Sequence, residues 1–198
     1  MKLIAAVLAT ILPCLAASPA ADKGKILGNP SAPVTIEIFS DFECPMCKTF
    51  HEETVPLLMR DFVASGKACI VSREFPLNIP AHKHSREAAN YATAAARVGK
   101  YDAVAGVLFH TQESWGVSGK VWETVASVLT PEQQKKVQAL VGDPSVLAEV
   151  QADVSYGTSS GINGTPTLFV SRGSKRYQAT GGVLGYNLLK SMIDDFLK

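Results

Sequence analysis

The chain has almost no net charge: 19 Lys and Arg stand against 18 Asp and Glu, a formal balance of +1. No basic run interleaved with aromatics occurs, so nothing favours a nucleic acid or another polyanion as partner. Cysteine is sparse as well, at four residues in 198. Only Cys44 and Cys47 are closely spaced, and a structural zinc site usually needs a second such pair, so no metal is called for. A disulfide framework also fits poorly, because a chain of this size builds its own core. Internal repeats and low-complexity linkers are absent, and one compact unit is expected.

Long apolar runs are missing except at the start. Lys2 followed by the stretch Leu3 to Leu12 and the small residues Ala16, Ala17, Ser18 and Ala20 reads as a cleaved export signal over residues 1–20. The run is broken by Pro13 and falls short of the ~20 residues of a spanning helix. Pro13 also weakens a lipoprotein reading of Cys14. Cleavage near Ser18 or Ala21 removes Cys14, which leaves Cys44, Cys47 and Cys69 in an oxidising compartment.

What is present reads as an α/β pattern. VTIEIF, residues 34–39, alternates with Val34, Ile36 and Ile38 on one face and Thr35, Glu37 and Phe39 on the other, as a strand does. After the turn SDFEC, Pro45 opens a helix carrying Phe50, Val55, Leu58 and Phe62, which Pro56 is expected to kink. ACIVSREF follows as a second strand, completing a βαβ unit with parallel strands. Residues from about 80 to 160 are Ala-rich and helical in period, with starts at Thr130-Pro131 and Asp143-Pro144; four or five helices are expected there. TLFVS, the turn RGSK and RYQAT make a hairpin, and Gly181-Gly182 precede a last helix with Leu184, Leu188, Leu189, Met192, Ile193 and Phe196 on one face.

Cys44-Pro45-Met46-Cys47 falls at the strand-to-helix junction, which is where chemistry is expected. Unpaired amides and the positive end of the helix dipole there stabilise a thiolate at Cys44. Cys44 is therefore the nucleophile and Cys47, one turn deeper, the resolving thiol that closes a Cys44–Cys47 disulfide. A static bridge across so short a loop constrains little of the unfolded chain, so a redox role is favoured over a structural one. Gly164-Thr165-Pro166-Thr167 directly precedes a strand, and taken alone Pro166 reads as a strand-start proline.

FSDFECPMC near the start, GTPTLFV before the hairpin and the helical stretch between them resemble the DsbA-like branch of the thioredoxin superfamily, over nearly the whole mature chain. The resemblance implies a thioredoxin fold with an inserted helical domain at about 80–160, within residues 21–198. It implies that Pro166 is cis and faces the dithiol, and that Thr165 offers its backbone to an extended substrate and tunes the thiolate. Glu37 roughly matches a buried acid that relays protons to the deeper cysteine; the alternative is an edge or exposed acid. The implied activity is protein-disulfide oxidoreductase in the periplasm or another exported location, without cofactor. Reduced or unfolded exported proteins are the implied substrates and a quinone-linked membrane protein the implied reoxidant. A monomer is expected, because the short stretch before Val34 leaves no room for the dimerisation domain of the isomerase branch. Met46 stands where the best-known oxidase of the family has histidine, and Asp41 and Glu43 add carboxylates beside Cys44; these point to a milder oxidant. A reductase or isomerase is the variant reading, and a Cu(I) module built on Cys44, Cys47 and Met46 is the reading from another class. Among the remaining candidates, Cys69 reads as a core residue, His51 as a surface histidine, and His82 and His84 as loop or cap residues.

Overall fold

In the computed structural model, residues 18–180 and 185–198 are described; residues 1–17 with Cys14, which make up most of the expected export signal, and the positions of Gly181, Gly182 and Leu184, lie outside them. A five-stranded sheet of order β1-β3-β2-β4-β5 forms the centre. β2 (Val34–Ser40) and β3 (Ala68–Glu74) pair in parallel, with Ile36 opposite Ile70. β4 (Thr167–Arg172) runs antiparallel to β2, and β5 (Lys175–Thr180) returns beside β4 through a turn at Gly173, whose φ of 57° favours glycine. β1 (Ile26–Leu27) adds an antiparallel edge on β3 that the sequence did not signal. Two residues carry no detectable alternation.

Strand alternation separates the two faces. Val34, Ile36 and Ile38 pack with Ile70, Leu168 and Val170 against Phe50, Leu58 and Phe62 of the helix that follows Cys44, and against Leu189, Ile193 and Phe196 of α9 (Tyr186–Leu197). On the other face Phe39, Phe75 and Phe169 receive Tyr156 of α8 (Pro144–Ser159). Gly157 lets α8 come this close, since a Cβ there would stand 2.6 Å from the Phe75 ring.

The helix after Cys44 runs over residues 45–63 as α1 (Pro45–Thr49), a π turn (Phe50–Thr54), α2 (Val55–Leu58) and a second π turn (Met59–Val63). Pro56 explains the first π turn. Having no N–H, it cannot continue the α ladder, so the register slips by one residue, Val55 N–H bonds to the Phe50 carbonyl, and Pro56 falls in the opening turn of a fresh α segment.

Between β3 and β4 the described residues hold six helices, not four or five: α3 (Ser85–Ala96), α4 (Tyr101–His110), α5 (Gln112–Ser118), α6 (Val121–Ala126), α7 (Pro131–Leu140) and α8. α4 and α5 are parted by Thr111 alone, and α6 is six residues long, so periodicity merges them. The capping box at Thr130 and Gln133 and the cap at Asp143 form as the sequence suggests. Phe42, Cys44 and Cys47 pack into the core of this block with Ala88, Leu108 and Trp115. The dithiol thus lies where the helices meet the sheet.

Candidate active site

Cys44 is the N-cap of α1, with Pro45 in the first turn. Cys44 retains 7% of its surface exposed and Cys47 1%, so an attacking group meets Cys44 first. Both are free thiols, as is Cys69. The Cys44 thiol is lowered to about 5, chiefly because the Cys47 thiol donates to its sulfur, with the Thr165 side chain and the Cys47 and Met46 amides adding to this against the cost of burial. Cys47 is pushed up, first by burial and then by the Cys44 thiolate beside it. The two sulfurs share one stabilised negative charge, and it rests on Cys44.

The Thr165–Pro166 peptide is cis, and the Thr165 carbonyl lies 3.3 Å from the Cys44 sulfur, from which it accepts only while that thiol is protonated. The Thr165 hydroxyl is buried without a hydrogen-bond partner in the protein and favours the ionised form of both cysteines. The sequence reading brings Cys44, Cys47, Thr165 and Pro166 to one place, and the structure assembles them there.

Asp41 and Glu43 behave otherwise than their proximity in sequence suggests. Asp41 is buried and accepts from the amides of Glu43 and Leu77 at 2.7 Å, from His82 Nδ1 at 2.8 Å and from the Ser85 hydroxyl. Glu43 accepts from the His84 amide at 2.7 Å and from Ser85 at 3.0 Å. Five donors serve the two carboxylates, the single Ser85 hydroxyl lying between them, and spread their charge into the loop before α3, which mutes their opposition to the thiolate. His82 and His84 are loop residues, as expected, and serve this bracing.

Glu37 does not reach the cysteines. It points to the α8 face of β2, where Arg73 donates to it at 2.9 and 2.7 Å, Ser18 at 2.7 Å and Tyr156 at 3.1 Å. The residue on the active-site-helix face at this point is Ile38, so the relay assigned to Glu37 is corrected to a buried ion pair. Arg73 also binds Asp153 at 2.9 Å, and Lys25, 1% exposed, lies 3.0 Å from Asp153, 3.4 Å from Glu149 and 3.6 Å from Glu74. His51 is a second correction: it is half-buried, stacked on Phe109 at 4.8 Å, and burial lowers its pKa. Cys69 is buried in β3, its sulfur 3.7 Å from the Thr35 hydroxyl.

Gln112, which no motif flags, sits at the start of α5 and donates to the carbonyls of Phe42 at 2.6 Å and Cys44 at 3.1 Å. It ties the helical block to the turn that carries the nucleophile. Among the described residues no group of three or more His, Cys, Asp or Glu side chains could hold a metal ion, and no helix is long and apolar enough to cross a membrane.

A parallel βαβ unit with a dithiol at its helix N-terminus, a cis-proline loop facing it and a helical block inserted before the antiparallel hairpin define a thioredoxin fold with a helical insertion. The family model described as Thioredoxin matches residues 20–182. The chain is 28% identical over 156 residues to disulfide bond formation protein D of Bacillus subtilis, an alignment covering 74% of this chain and 67% of that protein. Other curated relatives are longer still, and the chain spans little more than half of them. In structure it resembles alpha-DsbA1 of Wolbachia pipientis, with a TM-score of 0.73 at 20% identity over 87% of this chain and 89% of that one. It also resembles a thioredoxin-like oxidoreductase of Silicibacter pomeroyi, with a TM-score of 0.70 at 26% identity over 86% and 90%. The chain belongs to the thioredoxin family and is a thiol:disulfide oxidoreductase with the fold of the DsbA structures.

Proposed function

We propose that this protein is exported and introduces disulfides into other exported proteins by exchange at Cys44 and Cys47. The observation that carries the reading is the placement of the pair: Cys44 caps α1 beside the cis-proline loop and is the more exposed sulfur, which holds it low, about 5, while the enclosed Cys47 is pushed up. A stabilised Cys44 thiolate is a good leaving group and favours the reduced protein, so the Cys44–Cys47 disulfide is readily given up. The substrate thiolate attacks the Cys44 sulfur and the Cys47 sulfur leaves, taking a proton; a second substrate thiolate then attacks the substrate sulfur of the mixed disulfide and releases Cys44. The substrate is oxidised by two electrons and the Cys44–Cys47 disulfide reduced by two. The cis-proline loop, with Thr165 half-buried beside Cys44, suits an extended substrate backbone, in keeping with the role expected for that residue. The chain acts as a monomer, and a quinone-linked membrane protein returns the dithiol to the disulfide.

Cys47→Ala tests this reading. Mixed disulfides through Cys44 with exported proteins should accumulate in cells, and a reduction potential well above that of thioredoxin, about −270 mV, should be measured for the wild-type pair. No trapped species together with a thioredoxin-like potential would refute it in favour of a reductase.

A further inference from the structure

The segment that links β3 to α3 lines an open groove of about 740 Å³, with Pro76, Leu77, Ile79 and Pro80 as its apolar residues and His82, Lys83 and Arg86 as its basic ones. The groove is braced to the nucleophile's turn: Asp41 accepts from the Leu77 amide and from His82, and Glu43 from the His84 amide. Whatever occupies it is thereby held in fixed register with Cys44.

Its charge is of one sign. Asp41, the carboxylate beneath it, is already engaged by His82 and Ser85, and Glu87 on the next turn faces His84 at 4.0 Å. Arg86 differs from every other arginine among the described residues. Arg60 pairs with Asp61, Arg73 with Glu37 and Asp153, and Arg97 with Asp22 and Glu149, while Arg172 donates to the Phe196 carbonyl and Arg176 to the Tyr156 hydroxyl. Arg86 has no such partner, and Lys83, also exposed, has no ion pair. A planar guanidinium with its donors free, beside an ammonium and an apolar floor, matches a carboxylate next to an apolar side chain. Ile79, 45% exposed, and Met46, 43% exposed within the dithiol motif, are among the few large apolar side chains left in solvent.

We propose that this groove reads the protein substrate: it takes an extended segment bearing Asp or Glu beside an apolar residue, near the cysteine that attacks the Cys44 disulfide. The inference rests on the exchange reading above and narrows its substrate class. Exposed ion pairs are weak singly, but two cations acting on one acidic segment give about a tenfold preference.

The test uses two peptides that differ only in Asp and Glu against Asn and Gln flanking their cysteines. The oxidised protein should oxidise the reduced acidic peptide with a kcat/KM about tenfold above that of the amide peptide at low salt. The preference should collapse at high salt and in Lys83→Glu/Arg86→Glu, and persist in the distant Lys135→Glu. In parallel, binding is measured by fluorescence anisotropy with serine in place of each peptide cysteine, which requires no redox chemistry. The acidic peptide should bind about tenfold more tightly, and the double variant should lose this while keeping the wild-type circular dichroism. Equal binding of the two peptides, or a preference that survives the double variant, overturns the groove assignment. Charge-selective binding without oxidation of either peptide or of dithiothreitol leaves the groove standing and overturns the exchange reading.

Discussion

The dithiol end of the molecule and the ion network between α8 and the sheet both perturb ionisable groups, and they do so by opposite means. Around Lys25, Arg73, Glu37, Asp153 and Glu74 each charge has a partner of the other sign, and the contacts span segments far apart in the chain. Around Cys44 the charge is held by a neighbouring thiol and by amides, with the buried Thr165 hydroxyl beside them. The network binds Lys25, ahead of β1, to Glu74 of β3 and Asp153 of α8. The dithiol keeps one face free for a reaction. A shifted pKa therefore does not identify a site by itself: Glu74, at about 7, is as perturbed as many catalytic acids, yet it is wholly enclosed.

Substitutions should separate the two regions cleanly. Cys44→Ser is expected to reduce thiol exchange with a reduced peptide to the uncatalysed background while leaving the urea midpoint of the reduced protein nearly unchanged below pH 5, where the thiolate no longer contributes. Arg73→Ala should do the reverse. It strands Glu37 as a buried charge and takes from Asp153 one of its two cations, leaving Lys25 at 3.0 Å, which costs about 3–5 kcal/mol in urea unfolding, and it should leave the Cys44 titration near 5. Loss of the thiolate on removing Arg73 would show that the two regions are coupled.

The pH dependence sharpens the contrast, because the two groups have opposite signs. Burial raises Glu74 from 4.5 to about 7, so the folded state holds this proton more tightly than the unfolded chain does. Its contribution is full below 4.5 and is lost as pH rises through 7. Glu74→Gln should remove that fall, roughly 3 kcal/mol between those limits, as read by urea unfolding at a series of pH values. A smaller effect is expected at Thr165→Val, which deletes the hydroxyl beside the sulfurs: the Cys44 titration should move upward from about 5, followed by thiolate absorbance, with the fold intact.

Much of the catalytic end was legible in the sequence because its signals are local. Cys44-Pro45-Met46-Cys47 at a strand-to-helix junction and Pro166 one residue before Thr167 each depend on a few adjacent residues. The alternation of residues 34–39 even placed Glu37 on the face with Phe39, away from Ile38, and so already opposed the relay that the resemblance suggested. What the sequence could not show is long-range. Gln112 reaches carbonyls 70 and 68 positions away, and Arg73 meets Asp153 across 80. Asp41 and Glu43 looked like charges pressed against the thiolate because their donors, Leu77, His82, His84 and Ser85, come from a later loop. Short helices parted by a single residue, as at Thr111, leave no periodic signature.

The most direct measurement is the pH dependence of Cys44 alkylation in the reduced protein, with the label located by mass spectrometry. In the folded protein Cys44 is depressed from 9.0 to about 5, so the thiolate's contribution to the reduced fold is present above 9 and is lost as pH falls through 5. Labelling at Cys44 should be half-maximal near pH 5, with Cys47 unlabelled at that pH. Equal labelling of the two cysteines, with a common midpoint near 9, would contradict the unequal pair on which the proposed oxidase rests.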